Sequence, residues 1–316
     1  MTAPTEGEPP AAGRLEVVIV SHGAAELLLR CLASLRDHPP AQASMRVTVV
    51  DSGSPDDTPD RVEREYPEVR LLRRANIGFA AANNVVLREL IANGSGAGSA
   101  RGTGEDTPAA ALLLNPDTEV RVGTLDSSLE RLSRDLAVGL VGCKLVTEDG
   151  SLDHACKRSF PTPLSALAHF TGLGRRPGAP RALSQYRAAD LGEDEPGEVD
   201  AVNGAYMMVR AEALAAVGPL DEGYWLYMED LDWCHRFWDA GWRVYYDPAG
   251  TALHVKGGSS PGRRRLKQEV AFHRGMGRFY RRFNAPRTPA ALNLAVYAGI
   301  GAKLAVSLAR TLVNVR

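Results

Sequence analysis

Two acidic segments of this chain contain the residue types needed to hold a metal ion and to accept a proton. Asn115-Pro-Asp117 ends an apolar run, and Glu229-Asp230-Leu-Asp232 lies much farther along the chain. A hard cation such as Mg²⁺ or Mn²⁺ prefers oxygen ligands, and proteins commonly hold it with one or two carboxylates together with substrate phosphates. His254 offers an imidazole ligand. The segments therefore offer a carboxylate for a divalent metal, a possible imidazole ligand, and a separate carboxylate able to act as a base.

Each of these segments also has an ordinary structural explanation. An Asn-Pro-Asp sequence at a strand end can form an Asx turn, and acidic residues at a helix start cap its free amides and interact favourably with its dipole. A histidine can be a buried hydrogen-bonding group instead of a metal ligand. The presence of Asp117, Asp230 and His254 in one chain favours the chemical interpretation.

Aromatic and flexible residues accompany these polar groups. Trp225, Tyr227 and Trp233 surround the second acidic segment, and aromatic faces beside carboxylates are a common surface for a sugar ring. Lys256 begins a Lys-Gly-Gly-Ser-Ser run shortly after His254. The two glycines allow backbone amides to approach a phosphate, and the lysine supplies a point charge for a diphosphate leaving group. A sugar and a diphosphate are thus the ligands that these residues suggest.

Strands that alternate with helices must position these residues. Short apolar, β-branched runs predict strands at 15–21, 46–51, 69–73 and 110–114, and leucines at helical spacing contribute to predicted helices at 26–35 and 77–91. Almost wholly apolar strands in this order indicate an α/β fold with a mostly parallel sheet flanked by helices. Ligands bind at the carboxyl ends of such strands, which is where His22, Asp51, Asn76 and Asn115 to Asp117 fall.

The rest of the chain is predicted to continue with strands at 138–146, 199–209 and 243–246 and helices at 211–217 and 229–240. Residues 161–196 contain prolines, arginines and glycines and receive no assignment. Residues 93–107 are rich in glycine, serine and acidic residues, which predicts a flexible surface insertion. Their glycines neither follow a strand nor complete G-x-G-x-x-G spacing, so a dinucleotide-binding loop is not favoured.

Composition narrows the class of protein. The chain has 316 residues, of which 44% are hydrophobic and 24% charged, enough for one large α/β core with a smaller helical appendage. A net charge of −1 provides no global attraction for nucleic acid. The four scattered cysteines form no C-x-x-C pair, which favours a reducing cytoplasm over a disulfide framework or a zinc site. Residues 1–13 resemble a disordered leader more than a signal peptide.

Ordered matches to one enzyme family run along much of the chain. On these residues it resembles an inverting family-2 glycosyltransferase of the GT-A fold, and in particular the bacterial rhamnosyltransferase-like branch. The resemblance extends from about Val17 to Ser260. The matching residues are Val17-Val-Ile-Val-Ser-His22, Val50-Asp-Ser-Gly-Ser-Pro-Asp56, Ala75-Asn-Ile-Gly-Phe79 with Asn83, Leu113-Leu-Asn-Pro-Asp117, Asn203-Gly204, Met228-Glu-Asp-Leu-Asp232 and His254.

The resemblance implies a role for each matching position. It implies that Asp230 is the general base and that a divalent metal is held by Asp117 and His254, with Asn115 in place of the first acid of the family's D-x-D. The nucleotide end of a dTDP- or UDP-sugar donor is expected near Ser21, His22, Asp51, Asn76, Gly78, Asn115 and Asp117. The sugar and its acceptor are expected near Asn203, Gly204, Trp225, Glu229, Asp232 and Lys256.

By the same resemblance, the expected reaction transfers a sugar to a glycan or a polyprenyl-diphosphate-linked acceptor in cell-envelope polysaccharide synthesis. L-Rhamnose from dTDP-rhamnose is the first choice, and galactofuranose and GlcNAc remain alternatives. Three other classes compete. A nucleotidylyltransferase would need a glycine-rich basic loop after the first strand, and a glycoside hydrolase would need two carboxyls flanking one bond but no nucleotide pocket. A non-catalytic sugar- or lipid-binding scaffold of the same fold is the third.

The C-terminal residues 261–316 are predicted to form a basic, amphipathic helical region beyond a glycosyltransferase domain at 14–260. Arginines and aromatic residues alternate over 263–283, which suits either a solvated helix face or contact with anionic lipid. No nucleic-acid recognition motif accompanies them. Residues 290–312 are apolar but interrupted by Asn293, Lys303 and Arg310, which favours a helix resting on the cytoplasmic membrane surface. We therefore expect a cytoplasmic, peripheral membrane enzyme; no oligomeric state is predicted.

Overall fold

The computed structural model describes residues 13–94, 108–162, 191–255 and 264–313. Its strands are β1 (Arg14–Ser21), β2 (Ser44–Ser52), β3 (Arg70–Arg74), β4 (Pro108–Leu114), β5 (Thr118–Val120), β6 (Val138–Val146), β7 (Gly197–Glu198), β8 (Tyr206–Arg210) and β9 (Arg243–His254). Its helices are α1 (Ala25–Asp37), α2 (Thr58–Glu65), α3 (Phe79–Gly94), α4 (Thr124–Arg134), α5 (Ala211–Val217), α6 (Glu229–Asp239), α7 (Arg264–Phe279) and α8 (Ala290–Val313).

The strands form one mixed sheet in the order β3-β2-β1-β4-β8-β6-β9-β5, with β7 paired to β9. The strands from β3 to β4 are parallel to one another. β8 runs antiparallel to both β4 and β6, whereas β6 and β9 are parallel. Apolar side chains of the central strands are buried against helices, so the α/β fold is confirmed. The parallel strands β1 to β4 come from the part of the chain in which strands alternate with helices.

Most predicted elements are present, and the largest difference is in β9. This strand continues to His254, whereas the sequence predicts an end at Tyr246. Asp247-Pro-Ala-Gly250 reads as a turn, but it is accommodated by a register shift between Cys143 and Lys144 on β6. Bulges are where strands tolerate proline and glycine. The prediction of a strand over 199–209 was also too long, since the strand covers only Tyr206–Arg210.

Several predictions concern residues outside the described ranges. The leader at 1–12, most of the insertion at 93–107, the central part of the unassigned segment 161–196 and the loop that begins at Lys256 all fall there. Four short elements, α2, α4, β5 and β7, were not predicted.

The C-terminal helix α7 packs on the main core. Phe272, Met276 and Phe283 contact the buried cluster that includes Phe279, which is 2% exposed. Helix α8 packs on this region through Val296 and Ile300, which form a small cluster with Tyr280. Helix α7 thus shares the main core, and the boundary at 260/261 stays a prediction.

Helix α8 also has an uncovered apolar face. Leu294 on this face is 72% exposed, and Leu292, Tyr297 and Val306 are exposed too. By length and composition alone, residues 290–311 form a helix long and apolar enough to cross a membrane. Asn293 does not interrupt the outer face, because its amide donates to the carbonyls of Ala285 and Thr288.

Candidate active site

A cavity of about 740 Å³ opens at the carboxyl ends of β1 and β4, as the sequence predicts. Its wall combines these strand ends with the start of α6 and part of α7. The predicted residues that line it are Ser21, His22, Asn76, Gly78, Asn115, Asp117, Asn203, Gly204, Trp225, Glu229, Asp230 and His254. Asp51 and Asp232 are buried outside the lining. Lys256 lies outside the described residues.

Asp117 and His254 face each other because β5 pairs with the end of β9. Thr118 is in register with His254, and the Val255 N–H donates to the Asp117 carbonyl at 2.9 Å. The distance between Asp117 Oδ1 and His254 Nε2 is 3.6 Å. Burial raises the pKa of the Asp117 carboxyl, and His254 opposes that rise. A cation bound here would favour the ionised carboxylate.

Asp153 orients the His254 ring. Its Oδ2 lies 2.9 Å from His254 Nδ1, while its Oδ1 accepts a hydrogen bond from the Ala155 N–H at 3.0 Å. With Nδ1 engaged, Nε2 is the ring nitrogen that faces Asp117. A carboxylate bound to the second nitrogen of a metal-binding histidine fixes its tautomer and increases its basicity as a ligand. The donor set of Asp117 and His254 therefore fits a divalent cation.

The protein supplies only part of the coordination such an ion needs. Among the described residues, no group of three or more His, Cys, Asp or Glu side chains is arranged to hold a metal. Mg²⁺ and Mn²⁺ are commonly held by one or two protein ligands, with substrate phosphates and water completing the shell. The arrangement of Asp117 and His254 is suited to a metal that binds together with a diphosphate.

Asp230 lines the same cavity and is fixed at the start of α6. Its Oδ2 accepts hydrogen bonds from Arg158 Nη2 at 2.6 Å and from the Gly204 N–H at 3.2 Å. Its Oδ1 accepts a hydrogen bond from the Leu231 N–H at 2.8 Å. Asp230 therefore reaches the cavity as an anchored carboxylate paired with a cation.

Glu229 is adjacent to Asp230 but has very different surroundings. It lines the cavity, is 5% exposed, and its buried Oε2 has no hydrogen-bond partner among the described residues. Burial, followed by the negative charge of Asp230, raises the pKa of Glu229 to about 8. Glu229 is thus a protonated carboxyl near neutral pH, able to donate one hydrogen bond to a ligand.

The nucleotide end of the predicted site lies at the ends of β1 and β2. Asn76 Nδ2 is 3.2 Å from His22 Nε2, and both residues line the cavity. Asp51 is in register with Ser21, but its carboxylate accepts hydrogen bonds from the side chain and the N–H of Ser54. Asp51 therefore stabilises the turn that follows β2. The neighbouring Ser52 lines the cavity instead.

The loop before α6 is held close to the start of α3. The Phe79 N–H donates to the Trp225 carbonyl at 2.8 Å. Gly78 has a φ of +93°, and a Cβ there would lie 2.5 Å from Trp225 Cδ1. Glycine is required for both reasons. The contact fixes Trp225 as a flat wall between the two predicted ends of the site.

Asp232 does not line the cavity, because its carboxylate is turned into the protein. It accepts hydrogen bonds from Tyr224 Oη at 3.1 Å, Arg236 Nε at 2.9 Å and Arg282 Nη1 at 2.9 Å. Trp233 is also buried, and its indole N–H donates to the Gly218 carbonyl. The expected contact of Asp232 with substrate is thus replaced by a link between α6 and the C-terminal region.

Helix α7 forms a wall of the site that sequence analysis did not assign. Lys267, Gln268 and Phe272 line the cavity, and Lys267 Nζ lies 3.8 Å from the centre of the Trp225 ring. Phe272 contacts the Tyr227 ring edge to face. No motif identified these residues, because their approach depends on packing between distant segments.

The start of α6 is held in an unusual backbone conformation. Tyr227 and Met228 have φ values of 70° and 75°, which are uncommon for residues with side chains. A Cβ at Gly275 of α7 would lie 3.0 Å from the Tyr227 carbonyl, so glycine permits the close approach of α7. Such backbone conformations persist where surrounding packing imposes them, often at functional sites. Here they direct Glu229 and Asp230 into the cavity.

Solved glycosyltransferases share this architecture. GalNAc-T7 with UDP, GalNAc and Mn²⁺ aligns with a TM-score of 0.55 and 16% identity, over 85% of this chain and 50% of that one. The mannosyltransferase PcManGT from Pyrobaculum calidifontis, in complex with GDP-Man and Mn²⁺, aligns with a TM-score of 0.53 and 19% identity, over 96% and 77%. These likenesses show the fold, which is the GT-A fold of nucleotide-sugar transferases.

Sequence comparison defines the family. The model of Glycosyl transferase family 2 matches residues 16–94. N-acetylglucosaminyl-diphospho-decaprenol L-rhamnosyltransferase of Mycobacterium tuberculosis is 34% identical over 265 residues, which are 82% of this chain and 81% of that protein. Rhamnosyltransferase WbbL of Escherichia coli K12 is 43% identical over 143 residues, 45% of this chain and 51% of that protein. The chain belongs to glycosyltransferase family 2 and is a glycosyltransferase.

Proposed function

We propose that this enzyme transfers L-rhamnose from dTDP-rhamnose to a hydroxyl of a polyprenyl-diphosphate-linked GlcNAc, with inversion at the anomeric carbon. The M. tuberculosis relative is named for rhamnosyl transfer to N-acetylglucosaminyl-diphospho-decaprenol, and it aligns over most of both chains. The E. coli relative is named as a rhamnosyltransferase as well. These names support rhamnose over galactofuranose or GlcNAc as the transferred sugar.

In the proposed donor site, the nucleotide lies at the strand ends near Ser21, His22 and Asn76. Asn115 and Trp225 lie between this end and the acids of α6. Asp117 and His254 would hold Mg²⁺ or Mn²⁺, and Asp153 fixes the His254 ring. When bound, the metal neutralises charge that develops on the departing nucleoside diphosphate.

Asp230 is the proposed general base. It accepts the proton of the acceptor hydroxyl as that oxygen forms the new bond to the anomeric carbon. The bond from the anomeric carbon to the diphosphate oxygen breaks, and the nucleoside diphosphate leaves with that electron pair. Glu229, as a neutral carboxyl, donates a hydrogen bond that orients the acceptor. Because attack and departure occur on opposite faces, the product has the opposite anomeric configuration.

The proposed acceptor approaches from a membrane. The exposed apolar face of α8 would rest on the cytoplasmic leaflet, while α7 connects that face to the cavity. Arg278 and Arg282 form ion pairs with Asp221 and Asp232, which neutralise part of the positive charge of this region. Release from membranes by high salt would support surface contact aided by the remaining exposed basic residues. Extraction only by detergent would indicate insertion of α8.

The observation that carries the proposal is that Asp117, His254 and Asp230 line one shared cavity. The test offers dTDP-rhamnose, UDP-galactofuranose and UDP-GlcNAc with a short-chain polyprenyl-diphosphate GlcNAc acceptor, with metal or chelator. We expect rhamnosyl transfer that needs metal, and an inverted product by NMR. Transfer of another sugar would overturn the donor assignment. Donor binding without transfer by an intact protein would instead favour the non-catalytic scaffold.

Asp230→Asn tests the assigned base within the same assay. The amide is nearly the same shape but cannot accept the proton, so turnover should fall by about two orders of magnitude or more while donor binding is retained. Near-normal turnover would remove Asp230 from this role.

A further inference from the structure

The start of α6 places two buried carboxyls side by side, and Arg158 forms its direct ion pair with Asp230. Among the described residues Glu229 Oε2 has no hydrogen-bond partner, and the charge of Arg158 only opposes the rise in the pKa of Glu229 that burial and Asp230 cause. The side chains of Arg158 and Asp230 are 10% and 12% exposed, so their pairing is largely shielded from water. A buried charge without a partner is costly. The two acids are therefore distinguished by Arg158.

Arg158 is itself held firmly by the segment that precedes β8. Its Nη2 donates to the Val202 carbonyl as well as to Asp230. Its backbone exchanges hydrogen bonds with Ala201 at 2.8 and 3.0 Å. The next residues of this segment bring the Gly204 N–H to the same Asp230 oxygen. The guanidinium and one backbone amide thus form a preorganised support for a single carboxylate oxygen.

We propose that Arg158 is the positioning residue of the catalytic base: it balances the charge of Asp230 and fixes its carboxylate, so that Asp230 and not Glu229 accepts the acceptor proton. This inference rests on the proposed function and deepens it. Arg158 lines the cavity next to Asp230 and affects the reaction through the Asp230 carboxylate; it does not transfer a proton itself. Asp230 Oδ1 accepts a hydrogen bond from the uncharged Leu231 N–H, whereas the guanidinium donates to Oδ2. Oδ1 is therefore the oxygen available for proton transfer.

Other charged and titratable groups surround Asp230. Glu229 and Cys234 belong to the same helix, and burial together with the negative charge of Asp230 raises the pKa of both. Asp117, His254 and Lys267 also line the cavity. Arg158 contacts the Asp230 carboxylate directly, so its removal should change proton uptake there.

The test compares Arg158→Gln and Arg158→Lys with wild type and Asp230→Asn. We expect Arg158→Gln to lower kcat by about 100-fold, with donor KM changed by less than about threefold. The acidic limb of the kcat profile should move to higher pH by about one to three pH units, because a nearby positive charge favours a carboxylate. Arg158→Lys should recover part of kcat and part of the limb position.

A double variant separates positioning from general stability. In an Asp230→Asn background, Arg158→Gln should cause no further loss of kcat, since Arg158 acts only through that carboxylate. Arg131→Gln is the matched control, because Arg131 pairs with Asp247 at 3.3 Å away from the cavity lining. It should leave kcat and its pH profile unchanged. Additive losses for Arg158 and Asp230, or an unmoved acidic limb in Arg158→Gln, would overturn the inference.

A substitute variant and an NMR titration test the inference even if Arg158→Gln is unstable or inactive. If Arg158→Gln does not fold, as judged by thermal unfolding, Arg158→Met takes its place, and an acidic limb at the wild-type pH in that variant rejects the inference. Carboxyl-carbon NMR needs no turnover. The carboxyl signal that Asp230→Asn removes should titrate at higher pH in the arginine variant, and an unchanged midpoint rejects the inference. Absence of sugar transfer by wild type would refute the proposed function alone.

Discussion

Replacing Glu229 with glutamine should stabilise the protein increasingly as pH rises. Glutamine keeps the shape of a protonated carboxyl, which is the form the cavity favours, but it cannot ionise. In the wild type, burial and the adjacent Asp230 raise the pKa of Glu229 from 4.5 to about 8. The folded protein therefore binds this proton more tightly than the unfolded chain does.

The sign and size of the effect follow from that difference. Wild type loses stability as pH rises from about 4.5 to about 8, because the unfolded chain releases the proton first. The loss is complete above about pH 8 and is at most about 5 kcal/mol, at about 1.4 kcal/mol for each pKa unit. Rearrangement of the cavity and entry of water reduce this value. Glu229→Gln lacks the loss, so the stability gap between variant and wild type widens with pH.

The assay measures denaturant and thermal unfolding of both proteins at several pH values from about 5 to about 9. A difference of 1 kcal/mol shifts Tm by about 2–4 °C in a domain of this kind, so a gap of several degrees is expected near pH 9. Glu148→Gln serves as the control, since Glu148 is exposed. A gap that stays constant with pH, or a variant less stable than wild type near pH 9, would refute the assignment of Glu229 as a neutral acid.

Two further predictions concern the metal end of the site and the loop that carries Trp225. Asp153→Asn should weaken Mn²⁺ binding in the presence of dTDP by about 10- to 100-fold, because His254 loses the carboxylate that orients it. Calorimetry reports this without turnover, and unchanged affinity would separate His254 from metal binding. Gly78→Ala should lower both Tm and dTDP affinity, since the new Cβ would lie 2.5 Å from Trp225 Cδ1. Gly301→Ala, whose Cβ would meet nothing within 4 Å, should do neither.

The sequence predicts the sheet and the strand-end residues well because both depend on local patterns. Apolar runs define β1, β2 and β4, and polar residues that directly follow such runs must meet at one edge of the sheet. Asn115 and Asp117 line the cavity for this reason. Glu229 and Asp230 at the start of α6 also line the cavity. Asp232 does not, because the helix start alone does not determine which acid faces the cavity.

The rest of the site depends on contacts between segments that are distant in sequence. Asp153 reaches His254 across 101 residues, and Arg158 reaches Asp230 across 72. Neither segment carries a spacing that predicts its partner. Lys267 and Phe272 belong to the basic and aromatic run at 263–283. The pattern of that run fitted a solvated helix face and a lipid-binding face equally well. Their position against Tyr227 and Trp225 follows from tertiary packing.

The pairing of Arg278 and Arg282 with Asp221 and Asp232 has a consequence for exchanging parts between relatives. Arg278 and Arg282 both contact Asp221, and Arg282 also contacts the fully buried Asp232. A chimera that replaced the C-terminal segment with one lacking these arginines would deprive Asp221 of both cations and Asp232 of one, which is strongly unfavourable in a shielded environment. The C-terminal segment therefore cannot be swapped as an independent module, since the graft must also bring matching positive charges.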